Sequence, residues 1–206
     1  MIIYETDRFY VRPFEKSDMT ERYRSWFHDQ TVTKYNSHGL FPYTKEQMST
    51  FLARLESSDD LVWAVFAKYK PKDGRRIIKF DEDHVLRNVD VIHIGNVSLQ
   101  NINWINKSAE FATIFGEKEY WGKGFCTEAA RMIFSHAFQK LNLHRVFTGT
   151  AATNIGMRKV AKKLGMTNEG VFIEATFLDG KYVDIFEYGI TEQMWRAKNE
   201  RKNYDN

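Results

Sequence analysis

The stretch Glu119-Tyr120-Trp121-Gly122-Lys123-Gly124-Phe125-Cys126-Thr127-Glu128 decides the fold. It follows an apolar, strand-like segment, sets two glycines one residue apart and opens a long amphipathic run. Gly122 and Gly124 take positive φ angles without steric penalty and, lacking a Cβ, let a ligand approach the backbone closely. The first N–H groups of a helix starting here have no partner within the helix. With the helix dipole, they suit a pyrophosphate. The plainer alternative for the same pair of glycines is a tight turn between strand and helix.

The flanking segments favour the phosphate reading. Ser108 to Phe115 puts Ala109, Phe111, Thr113 and Phe115 on one side, the period of a strand. Phe125, Ala129, Ile133, Ala137 and Leu141 recur every fourth residue, which predicts a helix over 125–141 with one buried stripe. A strand over 144–150 and a helix over 154–164 follow, with Gly165 placed to stop the helix. Val171, Ile173, Ala175 and Phe177 then alternate with Phe172, Glu174 and Thr176, Asp179-Gly180 supplies a two-residue turn, and 182–190 returns as the second arm of a hairpin. Such an order implies a mixed sheet with helices on both faces. A dinucleotide fold also uses a glycine turn, but it wants a third glycine where Thr127 stands and an acid at the end of the next strand. That strand runs into Thr148, Gly149 and Thr150 instead.

Composition narrows the class. With 206 residues, 43% hydrophobic and 15% aromatic, the chain is expected to build one domain over 1–206. Its net charge of +3 comes from dispersed Lys and Arg, so no nucleic-acid partner is expected. The one cysteine, Cys126, cannot form an internal disulfide, and the opening MIIYETDRFY lacks the basic start and apolar core of a signal peptide. No apolar run approaches the ~20 residues that cross a bilayer, so no membrane partner is expected and a cytoplasmic setting is. His93 and the other histidines lack metal-ligand spacing, and no metal is expected. The polar stretch 71–90 is too long for an ordinary hairpin loop. It leaves open an extended hairpin, a homodimer contact, part of an acceptor site or a solvated insertion. The tail 196–206 reads as a frayed helix end.

From Ser108 to Ile190 the chain resembles the cofactor-binding and C-terminal part of the GNAT acyltransferases, above all their RimJ/RimL-type and spermidine/spermine acetyltransferase branches. The N-terminal TDRFYVRPFEKSD and the later LVWAVFAKY resemble the family's opening strands more loosely. The resemblance implies an α/β (α+β) GNAT fold, a mixed, mostly antiparallel sheet of about seven strands with helices on both faces. It implies acetyl-CoA as co-substrate and direct transfer of the acetyl group to a primary amine, whether on a small molecule such as a polyamine or amino sugar or at a protein N-terminus. It further implies that Thr113, Ile114 and Phe115 pair with the pantetheine arm, that Gly122, Lys123, Gly124, Phe125, Cys126 and Thr127 hold the pyrophosphate, and that Asn154 holds the pantetheine or caps its helix. Lys159, with Arg158 and Lys163, would meet phosphates or form a solvated face. Glu119 stands where the family usually has Gln or Arg.

The acceptor amine is mostly protonated at neutral pH, with a pKa of ~8 for an α-amino group and ~10.4 for a lysine-like one. A base must therefore take a proton, and an acid helps the thiolate leave. Backbone N–H groups near a bulged strand would polarise the thioester carbonyl. The serine and tyrosine that relatives carry near the second helix are Met157 and Ala161 here. Glu110 is the candidate base or amine-binding carboxylate, with an exposed strand residue as its alternative. His38, Phe41 and Tyr43 are candidates to line the acceptor pocket or to pack between helices. Glu174 and Asp184 are weaker acceptor-side candidates, and Tyr182, Tyr188 and Cys126 are proton donors or packing residues. A non-catalytic acyl-CoA-binding module for regulation or assembly is the second reading.

Overall fold

Eight strands, all in one sheet, organise the residues that this computed structural model describes, which are 1–36, 40, 43–68 and 92–204. The stretch 71–90, His38 and Phe41 lie outside the described residues. In chain order the strands are Tyr4–Glu5 (β1), Phe9–Pro13 (β2), Leu61–Ala67 (β3), Ile92–Asn103 (β4), Ser108–Phe115 (β5), Arg145–Ala151 (β6), Thr167–Leu178 (β7) and Lys181–Thr191 (β8). The helices are Glu21–His28 (α1), Gln30–Thr33 (α2), Lys45–Glu56 (α3), Phe125–Gln139 (α4), Ile155–Leu164 (α5) and Glu192–Tyr204 (α6). The sheet order is β1-β2-β3-β4-β5-β6-β8-β7, and every pairing is antiparallel except β5 with β6. The sheet, expected to hold about seven strands, has eight, the short Tyr4–Glu5 pairing with Val11 and Tyr10 at one edge.

Burial on both faces explains the continuous apolar run LVWAVFA of β3. Trp63, Val65 and Ala67 point into one core with Phe9, Val11, Val97 and Phe111, covered by α4. Val62, Ala64 and Phe66 point into a second core with Tyr10, Phe14, Tyr23, Trp26 and Phe27, covered by α1. The helical stripe of α4 is wider than the fourth-residue pattern, because Ala130, Phe134 and Phe138 join Phe125, Ala129, Ile133 and Ala137. The helix ends at Gln139, so Leu141 packs from beyond its last turn. Helix α5 starts where Asn154 Oδ1 accepts the N–H of Met157 at 3.1 Å, and Gly165, at φ +89°, ends it.

The C-terminal hairpin departs from clean alternation. Leu178 pairs with Lys181 around Asp179 and Gly180, whose φ values of +49° and +80° make a primed turn. Between Phe172↔Ile185 and Thr176↔Val183, however, β7 carries two more residues than β8. That bulge holds Glu174 at φ +50°, and its N–H donates to Asp184 Oδ1 at 2.8 Å. Strand β5 pairs with β4 in unbroken register from Glu110 to Phe115, and the pairings of β4 shift register at Ile94 and between Gln100 and Asn103.

Just past β5, the Gly116 N–H donates to Ile94 O at 3.1 Å while the Trp26 indole lies directly on the Gly116 Cα. A Cβ there would overlap the ring. Gly116→Ala is expected to destabilise the fold by about 1–3 kcal/mol through overpacking, lowering Tm by roughly 2–4 °C per kcal/mol in a chain of this length. Gly170→Ala is the control, since a Cβ there meets nothing within 4 Å. Equal melting of the two variants would contradict the packing of Trp26 on Gly116.

Candidate functional site

Strands β5 and β6 pair over three positions only, Ser108↔Arg145, Ala109↔Val146 and Glu110↔Phe147. Beyond them β5 stays bonded to β4 as far as Phe115↔Gly95, and β6 stays bonded to β8 as far as Ala151↔Ile185. The β6-facing backbone groups of β5 past Glu110 are thus left without a strand partner, an edge that an extended ligand can complete. The opening is a cavity of about 680 Å³. Its walls come from Glu110 to Phe115 of β5, the glycine loop and first turn of α4, Thr148 to Thr150 of β6, and α5. A fifth wall is Thr31, Val32, Tyr35 and Asn36 at the end of α2.

On the α4 side the chain offers an anion seat. Gly122 and Gly124 have φ of +71° and +89°. A Cβ on Gly122 would point into open space, and Gly124 caps α4 with no side-chain hydrogen bond, leaving first-turn N–H donors available. Lys159 and Lys163 of α5 stand in the wall, whereas the Lys123 side chain lies outside it. Trp121 Nε1 donates to Phe115 O at 2.7 Å and closes off the end of β5. A free strand edge, a glycine loop, an uncapped helix start and two lysines are a donor set that fits an extended arm ending in phosphates. Cys126 sits in the same wall, 3.9 Å from Thr113 Oγ1, and burial pushes its thiol up to about 11. Thr113 Oγ1 itself donates to Asn96 O at 2.8 Å.

Glu110 faces the other side of the sheet from Phe111, which belongs to the α4 core. Its Oε2 accepts from Asn101 Nδ2 at 2.8 Å. Asn101 has φ +51° at the irregularity of β4 between Gln100 and Asn103, and its N–H donates to Asp60 Oδ1 at 2.9 Å. A bulge that re-aims a side chain beside a cavity is a recurrent device. Glu187, paired with Gly149, folds its carboxylate against that glycine, where a Cβ would overlap it. Burial, followed by the nearby Glu110 and Glu169 carboxylates, raises the Glu187 carboxyl above its ordinary value, with Arg145 opposing. Tyr35 Oη donates to Thr153 O at 3.1 Å and bridges the end of α2 to the turn before α5.

Several candidates lie elsewhere. Tyr43 is buried in the second core, stacked on Phe27 with centroids 4.2 Å apart, and is not in the cavity wall. Glu174 sits on the β7 bulge, also outside the wall. Met157 is in the wall, but Ala161 is buried in the α4 core and does not face the cavity. Arg158 donates to Ala152 O at 2.9 Å and lies 4.5 Å over the Phe186 ring, a structural tie. Tyr188 is buried and Tyr182 is exposed on the hairpin. Among the described residues no group of three or more His, Cys, Asp or Glu is gathered to hold a metal, and no helix is long and apolar enough to cross a membrane.

Asn101, Glu187, Thr148 to Thr150 and the α2 wall are residues that sequence reasoning missed. Their roles arise from pairing register and from contacts between segments far apart in the chain. Asn101 alone carried a local hint, since asparagine tolerates positive φ.

The model of the acetyltransferase (GNAT) domain matches residues 8–167. Over 190 residues the chain is 26% identical to the uncharacterized N-acetyltransferase YnaD of Bacillus subtilis (strain 168), covering 92% of this chain and 97% of that protein. It is 32% identical over 107 residues to the spermidine N(1)-acetyltransferase of Vibrio cholerae, covering 52% of this chain and 61% of that one. It is 31% identical over 104 residues to the putative ribosomal N-acetyltransferase YdaF of Bacillus subtilis (strain 168), covering 50% and 56%. Among solved structures, spermidine N-acetyltransferase from Vibrio cholerae in complex with CoA and spermine has the same fold, with a TM-score of 0.71 at 22% identity over 93% of this chain and 99% of that one. With the domain model spanning most of its length and the splayed sheet behind it, the chain belongs to the GNAT acetyltransferase family.

Proposed function

We propose that this acyltransferase moves an acetyl group from acetyl-CoA to a primary amine by direct transfer, with both substrates bound at once. The observation that carries the reading is the cavity through the sheet where β5 and β6 part, with phosphate-binding chemistry on the α4 side and a carboxylate, Glu110, toward the other. Similarity to spermidine and ribosomal N-acetyltransferases supports a polyamine or a protein N-terminal amine as the acceptor.

In this reading the backbone edge of β5 from Thr113 to Phe115 holds the pantetheine arm. The N–H groups that follow Gly122 and Gly124, with Lys159 and Lys163, hold the phosphates. The amine attacks the carbonyl carbon of the bound thioester, the C–S bond breaks, and the departing CoA thiolate takes its proton from solvent. Glu110, kept in place by Asn101 Nδ2, takes the amine proton directly or through one water and returns it to solvent. Met157, at the serine position, has no proton to give, and Ala161 does not reach the cavity. The Cys126 S–H is protonated at neutral pH and lines the donor side of the wall.

Thiol release from acetyl-CoA, measured against polyamines, amino sugars, amino acids and short peptides, tests the function. Turnover on one class names the acceptor, and binding of acetyl-CoA with no turnover on any of them, or on intact ribosomal proteins, would support a non-catalytic module. Glu110→Gln is expected to lower kcat by about 10²- to 10⁴-fold while acetyl-CoA affinity stays unchanged, and full turnover in that variant removes Glu110 as base. Cys126 is expected to react with iodoacetamide at pH 7.5 roughly 100-fold more slowly than free cysteine, because only thiolate reacts. Its rate should climb with pH toward 11, and acetyl-CoA should slow it further. Alkylation as fast as that of free cysteine would contradict the raised pKa of this thiol.

A further inference from the structure

An acid stands where the donor site wants none. Glu128 lies in the first turn of α4, beside the uncapped N–H groups and the glycine loop. By itself a carboxylate there stabilises the helix through the dipole, but it also competes with and repels a phosphate bound at the same end. Arg8, from the turn before β2, answers it. Its Nη1 bonds Glu128 Oε1, and its Nη2 donates to Lys123 O at 2.5 Å. The guanidinium carbon lies 4.2 Å from the centroid of the Phe125 ring. Arg8 Nε is buried with no hydrogen-bond partner among the described residues, so the other contacts hold the side chain in place against that loss. The pair sits against the left-handed glycine, where a Cβ on Gly124 would lie 3.6 Å from Glu128 Oε1 and 3.7 Å from Arg8 Nη1.

We propose that Arg8 is a positioning residue that neutralises Glu128, so that the glycine loop and the start of α4 accept a diphosphate. The inference rests on the acetyl-CoA reading above. It assigns the turn before β2, remote from the cavity wall in sequence, a role in donor affinity and none in the acyl-transfer step. Removing the arginine leaves an uncompensated carboxylate beside the phosphate seat. Removing the carboxylate as well restores a neutral seat without any arginine.

The test is a double-substitution cycle read by calorimetric binding of CoA and of pantetheine, which lacks the diphosphate, with melting temperatures alongside. Wild type is expected to bind CoA. Arg8→Gln should weaken CoA binding about tenfold, the scale of one unit charge lost near the surface, and leave pantetheine binding unchanged. The Arg8→Gln, Glu128→Gln double variant should return to within about threefold of wild type, and Glu128→Gln alone should bind CoA at least as well as wild type. Arg8→Lys keeps the charge and loses the forked geometry, so it should stay within about threefold, and it carries the test if Arg8→Gln does not fold. Unchanged CoA affinity in Arg8→Gln overturns the inference. So does a double variant as weak as the single one, or a tenfold loss in Arg8→Lys, since each makes Arg8 a mechanical brace and not a charge partner. A wild-type chain that fails to bind CoA overturns the donor reading, and this inference with it.

Discussion

Beyond Glu110 and Phe147 the two central strands stop exchanging hydrogen bonds, yet each remains bonded on its far side. A buried backbone group left unpaired costs on the order of 1–3 kcal/mol, so a sheet parts in its middle only where something else meets those groups. Here the parting is a cavity that water or a ligand strand can enter. The rest of the site follows from it. Because β5 and β6 are the one parallel pair, the connection between them must cross over, and that crossover is the glycine loop and α4. The helix N-terminus therefore arrives at the same end of the strands as the opening.

The α2 wall has to be held against the end of β5, and three ties do this. Trp26 packs on Gly116 and donates through Nε1 to Glu117 Oε1 at 3.0 Å. Arg22 grips both oxygens of Glu117 at 2.7 Å. Burial opposes ionisation of Glu117, but the bonds from Arg22 and Trp26 outweigh it and hold the carboxyl below its ordinary value. Lys118 reaches Asp29 at 2.5 Å, just before α2. Behind them His93 lies among Tyr23, Trp26 and Phe66, with centroids 5.8, 4.8 and 5.0 Å away, and bonds Asn96 Oδ1 at 2.7 Å. Burial lowers its pKa, so the imidazole is neutral and the cage stays free of charge. An unpaired imidazolium there would be expensive, which gives this part of the core one favoured protonation state over the neutral range.

What the residues revealed on their own tracks how local each signal is. The glycine loop, the α4 stripe, the Asn154 cap and the Asp179-Gly180 turn are written within a few neighbouring residues, and all of them stand in the structure. The alternation of β7 failed at Ile173 to Ala175, because a bulge there depends on Asp184 on the facing strand bonding the Glu174 N–H. Sequence left Tyr43 open between pocket and packing, because an aromatic in a polar loop has no local signature of burial and its partner Phe27 is a helix away. Asn101 reaches Glu110 only through the β4–β5 register, and Tyr35 reaches Thr153 across 118 positions of chain. Neither contact has a periodic or motif signal along the chain, because each depends on which segments pair in space.

Charge sorts the opening in the same direction. Lys159 and Lys163 stand on the α5 wall, while Glu110 lies toward the opposite side of the sheet with Glu187 folded over Gly149 next to it. Gly149 matters because any side chain there would displace the Glu187 carboxylate. On the proposed reading, an anionic donor meets the lysines of the α5 wall and a cationic acceptor the carboxylates toward the other side of the sheet. On that reading Glu128 is a wrong-signed group beside the proposed phosphate seat, and the Arg8 guanidinium is bonded directly to it. The pair leaves the helix N-terminus carrying only its own partial positive charge, which is the sign a diphosphate requires.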